Sequence, residues 1–230
     1  MATARREDVI AELVAEGLDA PQLDVTNEES IAACHKQVQE RTGGRPNIVV
    51  NNAVPLTWCY FDLYINTSSL SGRIYISPAT DLSMSDVRTT FETNVFGIMA
   101  MVKALADHII AARGLIISIF SCAAVTPYVF ASAYCLSKCA IMSYSRTLRQ
   151  ELWPFGICVM VTMAGIGKSK IAEKPQPSLM PGSLYEEMGD LYTRYVYLRQ
   201  EEEVTDTDLF AKELVNHALK SEGRLFGRPN

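Results

Sequence analysis

Tyr134 and Lys138 are the residues whose types and spacing most directly suggest catalysis. They are four positions apart in a stretch of good helix formers, so they fall on one face of a predicted helix, about one turn apart. A phenol has an ordinary pKa of about 10, which is too high for efficient proton exchange near neutral pH, and a nearby ammonium lowers that pKa because it favours the phenolate. The pair therefore predicts a tyrosine that acts as general acid and base.

Ser121 adds a hydroxyl to this pair from a different element. It follows the apolar run 115–120, which comes directly after Gly114 and predicts a strand buried on both faces. A hydroxyl at the end of such a strand can hold a carbonyl oxygen on which negative charge develops during reduction. A tyrosine and a lysine at this spacing also occur on helices by chance. The serine thirteen positions before Tyr134 favours the catalytic interpretation.

Strand and helix patterns alternate along the chain. Short apolar runs predict strands at residues 21–25, 47–53, 115–120 and 157–162. Apolar residues at helical spacing predict helices at residues 7–16, 26–40, 86–112, 134–152 and 206–221. The alternation is typical of an α/β fold, a parallel sheet covered by helices, and the length suits a single domain over residues 1–230. Ligands of such sheets bind outside the carboxyl ends of the strands.

The arrangement of Ser121, Tyr134 and Lys138 resembles the catalytic residues of the short-chain dehydrogenase/reductase family. The resemblance implies a Rossmann-type doubly wound parallel sheet and the reduction of a ketone to a hydroxyl by a nicotinamide hydride. In this family the tyrosine protonates the carbonyl oxygen, the lysine holds the nicotinamide ribose, and the serine orients the substrate. The resemblance therefore implies that Tyr134 and Lys138 both contact the cofactor. Asn94, in the segment N-V-F-G, would hold the water of a proton relay to Lys138. Without the family, Asn94 would be interpreted as a packing feature inside a helix.

Asp24 and Asn52 fall at the ends of two predicted strands, where a dinucleotide would pass. The resemblance implies that Asp24 contacts the adenine and that the segment 51–54 supports the central strand and the cofactor. Val54 stands where the family has a glycine, and because glycine permits backbone conformations that valine resists, we expect the loop conformation to depart from the family pattern. Asp24 also has a simpler interpretation, as an acidic residue that flanks a helix.

Two further segments resemble cofactor contacts. In residues 163–169, Ile166 matches the small hydrophobic residue of the family, and Ser169 replaces the threonine that reaches the nicotinamide amide and the phosphates. Arg5 lies where NADP-dependent members place an arginine against the 2′-phosphate, so NADP (as NADPH) is favoured over NAD. The alternative is that Arg5 and Arg6 are simply solvated.

A glycine-rich phosphate-binding turn does not precede Asp24. The resemblance implies that the chain begins after the first strand, its helix and most of the second strand of the sheet. These strands would lie between the predicted strands 21–25 and 47–53, so we expect unpaired strand edges and poor autonomous stability. Each unsatisfied buried backbone group costs about 1–3 kcal/mol, against a total stability of about 5–15 kcal/mol. The competing hypothesis is a catalytically silent member that acts at most as an interaction module.

Two segments fall where members of the family vary in length or sequence. Residues 54–78 are rich in aromatic residues and stand where the family has a shorter loop, so we interpret them as an insertion. The insertion is either a flap that covers the substrate or a segment without an evolved role. Residues 170–200, rich in Pro, Met, Tyr and Leu, lie where the family forms its variable substrate lid.

The composition excludes several classes of partner. The net charge of −5 and the absence of a basic run argue against nucleic acid, and the three scattered histidines predict no metal site. The six cysteines form no C-x-x-C pair and are expected to be reduced. No secretory signal is evident, and no run approaches the roughly 18 apolar residues of a membrane span, so a cytoplasmic location is expected.

Five segments together are most similar to the fungal NADPH-dependent 1-acyldihydroxyacetone-phosphate reductase branch of the family: A-T-A-R-R, L-D-V-T, R-T-G-G-R, N-V-F-G and E-L-W-P-F-G. This resemblance implies a small-molecule carbonyl substrate, such as an acyl-dihydroxyacetone-phosphate-like lipid precursor. It also implies peripheral association with lipid droplets or the endoplasmic reticulum. Related ketone reductases remain alternatives, and a homo-oligomer is an open alternative to a monomer.

Overall fold

The structure is a computed structural model that describes residues 1–52, 75–164, 178–197 and 207–225. In chain order the regular elements are α1 (Glu7–Ala15), α2 (Glu28–Thr42), β1 (Ile48–Asn52), α3 (Met84–Phe91), a π turn (Glu92–Phe96), α4 (Gly97–Ala112), β2 (Leu115–Ser121), α5 (Ser132–Leu152), β3 (Cys158–Ala164), α6 (Gly189–Tyr197) and α7 (Thr207–Leu225). The three strands predicted at residues 47–53, 115–120 and 157–162 are confirmed.

The strands form a parallel sheet in the order β1-β2-β3. Asn51 pairs in register with Ser118, and Ser121 pairs with Ala164, so the carboxyl ends of the strands share one edge of the sheet. Within the described residues, β1 has a strand neighbour on one side only. The poor autonomous stability expected from unpaired strand edges stays a prediction.

Helices cover both faces of this sheet, which confirms the α/β prediction. One core cluster joins residues of the three strands to α2, α4 and α5: Val49, Ile116, Val159, Val38, Met101, Val102, Leu105, Ile109 and Leu148. A second cluster lies on the opposite face and includes Leu214 and Ala218 of α7: Ile48, Val50, Leu115, Ile117, Ile119, Leu214 and Ala218. Because side chains alternate between the faces of a strand, β1 and β2 are apolar on both sides.

The strand predicted at residues 21–25 is wrong in extent. The structure has an isolated parallel bridge there, between Ala4 and Gln22. The backbone N–H of Leu23 donates to the carbonyl of Ala4 at 2.9 Å, and the N–H of Ala2 donates to the carbonyl of Asp19 at 2.8 Å. The chain turns into α2 directly after Val25, and this turn limits the pairing to a few bonds.

The helix predicted at residues 86–112 begins two residues earlier and contains a π turn. The Ser83 hydroxyl caps it by accepting a hydrogen bond from the N–H of Asp86 at 3.1 Å. Gly97 follows the π turn and packs so closely on Val25 that a Cβ added there would lie 2.3 Å from Val25 Cγ2. The glycine therefore lets α4 approach the segment that carries Asp24.

The helical stretch Met84–Ala112 contains an 18-residue window with a mean hydropathy of 1.7, so by length and composition alone it could cross a membrane. The sequence-based prediction, which considered unbroken apolar runs, did not identify this window, because it includes Lys103 and Asp107. In the structure, however, this helix forms part of the protein core, where Met101, Leu105 and Ile109 are almost fully buried. This packing accounts for the buried residues of the helix, which make up 39% of the apolar window.

Candidate active site

Tyr134 and Lys138 lie one turn apart on α5, both buried in the protein. Tyr134 is 5% exposed and Lys138 is 0% exposed, and the lysine Nζ lies 5.5 Å from the centroid of the tyrosine ring. Tyr134 packs in an apolar cluster with Ala123, which follows β2, and with Ala131, which precedes α5. The structure therefore brings together the two side chains that the sequence predicts to share one helix face.

The Lys138 ammonium is in a dry environment. Burial lowers the pKa of Lys138 from 10.5 to about 8, because removal of water disfavours the charged form. Its Nζ has no hydrogen-bond partner among the described residues. An ammonium has three donors, and a buried donor without an acceptor costs free energy. Lys138 is thus suited to bind hydroxyl oxygens of a ligand.

Ser121 is the last residue of β2, as predicted, and is half-buried. Its Oγ accepts a hydrogen bond from the N–H of Ala123 at 3.2 Å, which caps a short helical turn. The same Ala123 packs with Tyr134, so the strand end and the first turn of α5 lie side by side. Ser121 and Tyr134 thus occupy neighbouring positions at the carboxyl edge of the sheet.

Asn94 is fully buried in the π turn and reaches α5 through a hydroxyl that the sequence analysis missed. Its Nδ2 donates to Ser137 Oγ at 3.0 Å, and Ser137 Oγ donates to the carbonyl of Tyr134 at 2.7 Å. Asn94 therefore contacts the residue adjacent to Lys138 in sequence. The only sequence signal for Ser137 was a small polar residue between two residues of the predicted site.

Asn51 is a second polar residue that gains significance only in the structure. It is 1% exposed on β1, and neither atom of its side-chain amide has a hydrogen-bond partner among the described residues. Asn52, the predicted cofactor residue, ends β1 and pairs in register with Ile119 of β2. The end of β1 therefore lies on the same edge of the sheet as Ser121.

Asp24 and Arg5 lie in the N-terminal part of the chain, in more exposed positions. Asp24 Oδ1 accepts hydrogen bonds from the N–H of Thr26 at 2.9 Å and from its hydroxyl at 2.7 Å, which matches the simpler interpretation of a residue flanking a helix. Arg5 follows the bridge residue Ala4, and its side chain is exposed. Arg6 differs, because its guanidinium pairs with Asp8.

Ile166 and Ser169 lie outside the described residues, as does most of the predicted insertion 54–78. The last described residue before them, Ala164, ends β3 opposite Ser121. Of the predicted lid 170–200, the structure describes residues 178–197.

The family model for the short chain dehydrogenases matches residues 1–178. The chain belongs to this family. A short-chain dehydrogenase of Neurospora crassa is 34% identical over 200 residues, which is 86% of this chain and 62% of that protein. The NADPH-dependent 1-acyldihydroxyacetone phosphate reductase of Schizosaccharomyces pombe is 33% identical over 186 residues, which is 81% of this chain and 57% of that protein. The chain thus spans about three fifths of the length of these curated relatives.

A solved structure supports the fold assignment. A short-chain dehydrogenase from Streptomyces avermitilis superposes with a TM-score of 0.70 at 24% identity, over 92% of this chain and 71% of that one. At this level of identity the likeness establishes the fold, which is Rossmann-like, and says nothing about substrate. Oxidoreductases of this family use NAD(P).

The residues present fit the nicotinamide end of such a cofactor. The buried Lys138 Nζ and the buried Asn51 amide are polar groups that have no partner among the described residues, at the edge of the sheet where ligands of these folds bind. Lys138 would hold the ribose hydroxyls, as the family resemblance implies. Bound there, the cofactor would supply a hydride.

Proposed function

We propose that this protein is an NADPH-dependent reductase that converts a ketone to a hydroxyl. The observation that carries the proposal is the buried pair on α5, in which Lys138 Nζ lies 5.5 Å from the Tyr134 ring centroid. A charged ammonium in a dry site stabilises nearby negative charge more strongly than it would in water. The pair is therefore suited to proton transfer to a substrate oxygen.

Each residue of the site has a distinct part in this reaction. Tyr134 donates its phenolic proton to the substrate oxygen, and the positive charge of Lys138 stabilises the phenolate that remains. Ser121 orients the carbonyl with its hydroxyl. Asn94 and Ser137 hold the backbone of Tyr134 in place. As the family resemblance implies, Asn94 would also hold the water of a proton relay to Lys138.

NADPH is preferred to NADH in this proposal because of Arg5. Its exposed guanidinium follows the bridged segment at Ala4, and a guanidinium binds a phosphate through paired hydrogen bonds. Arg6 is less available, because Asp8 neutralises it. The NADPH-dependent relative from S. pombe supports the same choice.

The substrate we propose is an acyl-dihydroxyacetone-phosphate-like lipid precursor. The similarity to the S. pombe reductase supports this class, and so does the apolar surface of residues 178–197. In that segment Leu184 is 80% exposed and Met180 is 59% exposed, and Met188 and Leu191 are also exposed. Such a surface suits an acyl chain or a membrane surface. We propose accordingly that the protein acts in the cytoplasm, peripherally on lipid droplets or the endoplasmic reticulum.

The first test is calorimetric binding of NADPH and NADH to the purified chain. Micromolar NADPH binding that is lost in Lys138→Ala and retained in Lys103→Ala supports the proposal, because Lys103 is an exposed lysine on the neighbouring helix. NADPH oxidation with an acyl dihydroxyacetone phosphate, compared with a simple ketone, then tests the substrate class. Absence of cofactor binding to folded protein would contradict the proposal and support the catalytically silent alternative.

A further inference from the structure

Residues 178–197, which we call the lid segment, are tied to residues 75–81 by two hydrogen bonds. The Tyr192 hydroxyl donates to the carbonyl of Ile76 at 2.9 Å, and Ser183 Oγ donates to Asp81 Oδ2 at 2.6 Å. Tyr192 and Ile76 also share a buried apolar cluster. The lid segment is therefore docked on the protein at a defined place.

Phe130 is the centre of this docking. Its ring makes edge-to-face contacts with three tyrosines of the lid segment, at centroid distances of 5.4 Å to Tyr185, 5.2 Å to Tyr192 and 6.1 Å to Tyr195. These distances lie in the range of about 4.5–7 Å that favours aromatic pairs. The Phe130 carbonyl also accepts a hydrogen bond from the N–H of Ser77 at 2.7 Å. One residue thus contacts both the lid segment and the segment on which it docks.

The backbone of Phe130 is strained. Its φ is +62°, a left-handed conformation that is uncommon for residues other than glycine, asparagine and aspartate. Such a conformation persists when surrounding contacts hold it. The contacts that hold it here are the three tyrosine rings and the Ser77 hydrogen bond.

Phe130 also lies directly before the helix of the candidate site. Ala131 is the N-cap residue of α5, and its carbonyl accepts a hydrogen bond from the N–H of Cys135 at 2.9 Å. Ala131 packs against Tyr134 in one buried cluster. The φ of Phe130 sets the direction in which the chain enters α5, and Tyr134 lies in the first turn of that helix.

We propose that Phe130 is a positioning residue through which the docked lid segment sets the placement of Tyr134. The aromatic contacts hold the strained φ, the strained φ orients the first turn of α5, and that turn holds Tyr134 beside Lys138. The catalytic consequence rests on the proposed function, whereas the structural coupling does not depend on it.

The coupling is tested without activity by amide hydrogen exchange in the variant Tyr185→Leu. This substitution removes a ring from the lid segment and changes no residue of α5. We expect exchange to accelerate by about tenfold at Ser77, across residues 189–197 and at Cys135, because local opening of the lid releases the first turn of α5. The amide of Ile31 in α2, which is bonded to Asn27, serves as the internal control and keeps its rate. Fast exchange in the lid with an unchanged rate at Cys135 would overturn the proposal.

Substitutions at Phe130 distinguish the effect of the aromatic ring contacts from the effect of the strained φ. Phe130→Ala removes the ring and keeps a Cβ, so both the lid amides and Cys135 should exchange faster. Phe130→Gly also removes the ring but adopts a positive φ without strain, so the lid amides exchange faster while Cys135 keeps more of its protection. Equal loss of protection at Cys135 in both variants would show that φ has no part in the coupling.

Kinetics provide the final readout in a chain that shows reductase activity. Tyr185→Leu should lower kcat by about tenfold and leave the KM for NADPH unchanged, since misplacement of a reacting group affects the chemical step more than cofactor binding. Phe130→Tyr keeps the ring and should retain kcat. An unchanged kcat in Tyr185→Leu would overturn the catalytic part of the proposal. If the unmodified chain has no activity, the proposed function fails, and the exchange experiment still decides the coupling.

Discussion

The two ends of the candidate cofactor site differ in how they are built. At the α5 end, Tyr134, Lys138 and Asn94 are buried, and Ser137 links two of them through hydrogen bonds of 3.0 and 2.7 Å. At the N-terminal end, Arg5 is exposed, and the pairing beside it consists of isolated bridge contacts such as the one between Ala4 and Gln22. The chemical groups are therefore positioned by the core, whereas the groups expected to recognise the dinucleotide are positioned by a few local bonds.

Removal of the phenolic hydroxyl is expected to have the largest effect. Tyr134→Phe should lower kcat for ketone reduction by about 10²–10⁴-fold, because it removes the general acid while keeping the buried ring. NADPH affinity should fall much less than kcat does, because Lys138 and the rest of the cofactor site are unchanged. The check is steady-state kinetics together with calorimetric binding. Residual activity close to that of the unmodified protein would show that the buried end does not carry the chemistry.

Lys138 should make stability depend on pH in a specific window. Its folded-state pKa of about 8 lies below the ordinary 10.5, so the unfolded state binds the proton more tightly. The resulting reduction in the free energy of unfolding is fully present below pH 8, decreases as the pH rises from 8 to 10.5, and is absent above pH 10.5. At about 1.4 kcal/mol per pKa unit, the cost at pH 7 is on the order of 3 kcal/mol.

Lys138→Met should therefore raise the free energy of unfolding at pH 7 and remove the rise in stability between pH 8 and 10.5. Urea unfolding across this range checks the prediction, with Lys103→Met as the control for an exposed lysine. A variant that is less stable than the unmodified protein at pH 7 would mean that the buried ammonium has partners that stabilise it.

The contact between the two ends depends on Gly97. A Cβ at this position would lie 2.3 Å from Val25 Cγ2 and 3.0 Å from Val25 Cβ, so Gly97→Ala should destabilise the protein by about 1–3 kcal/mol. Gly189→Ala is the matched control, because a Cβ there meets nothing within 4 Å. Its effect should stay within about 0.5 kcal/mol. Thermal unfolding of both variants measures the difference, and equal stabilities would disprove close packing at Val25.

The smallest effect is expected at the exposed end. Arg5→Ala should weaken NADPH binding by about tenfold, through loss of a charged contact to the 2′-phosphate, and leave NADH binding unchanged. Arg6→Ala is the control, since Arg6 pairs with Asp8. Calorimetry with both dinucleotides distinguishes the cases. Equal losses of affinity for NADPH and for NADH would show that Arg5 does not contact the 2′-phosphate.

The sequence by itself predicted the α/β class, the three strands β1, β2 and β3, and the positions of Ser121, Tyr134 and Lys138. These features follow from local signals: apolar runs for buried strands, and a four-residue step that puts two side chains on one helix face. The family assignment followed from the same residues. The extent of the 21–25 strand was mispredicted. The number of residues that pair depends on the length of the partner segment, which an apolar run does not reveal.

The tertiary structure alone decided which polar groups are buried and which partners they have. The Ser137 link to Asn94 joins residues 43 positions apart in sequence, and the burial that lowers the pKa of Lys138 comes from the packing around α5. The aromatic cluster around Phe130 likewise joins it to tyrosines 55 or more positions later in the chain. Such contacts leave no periodic signal in a sequence, because they depend on how distant elements pack.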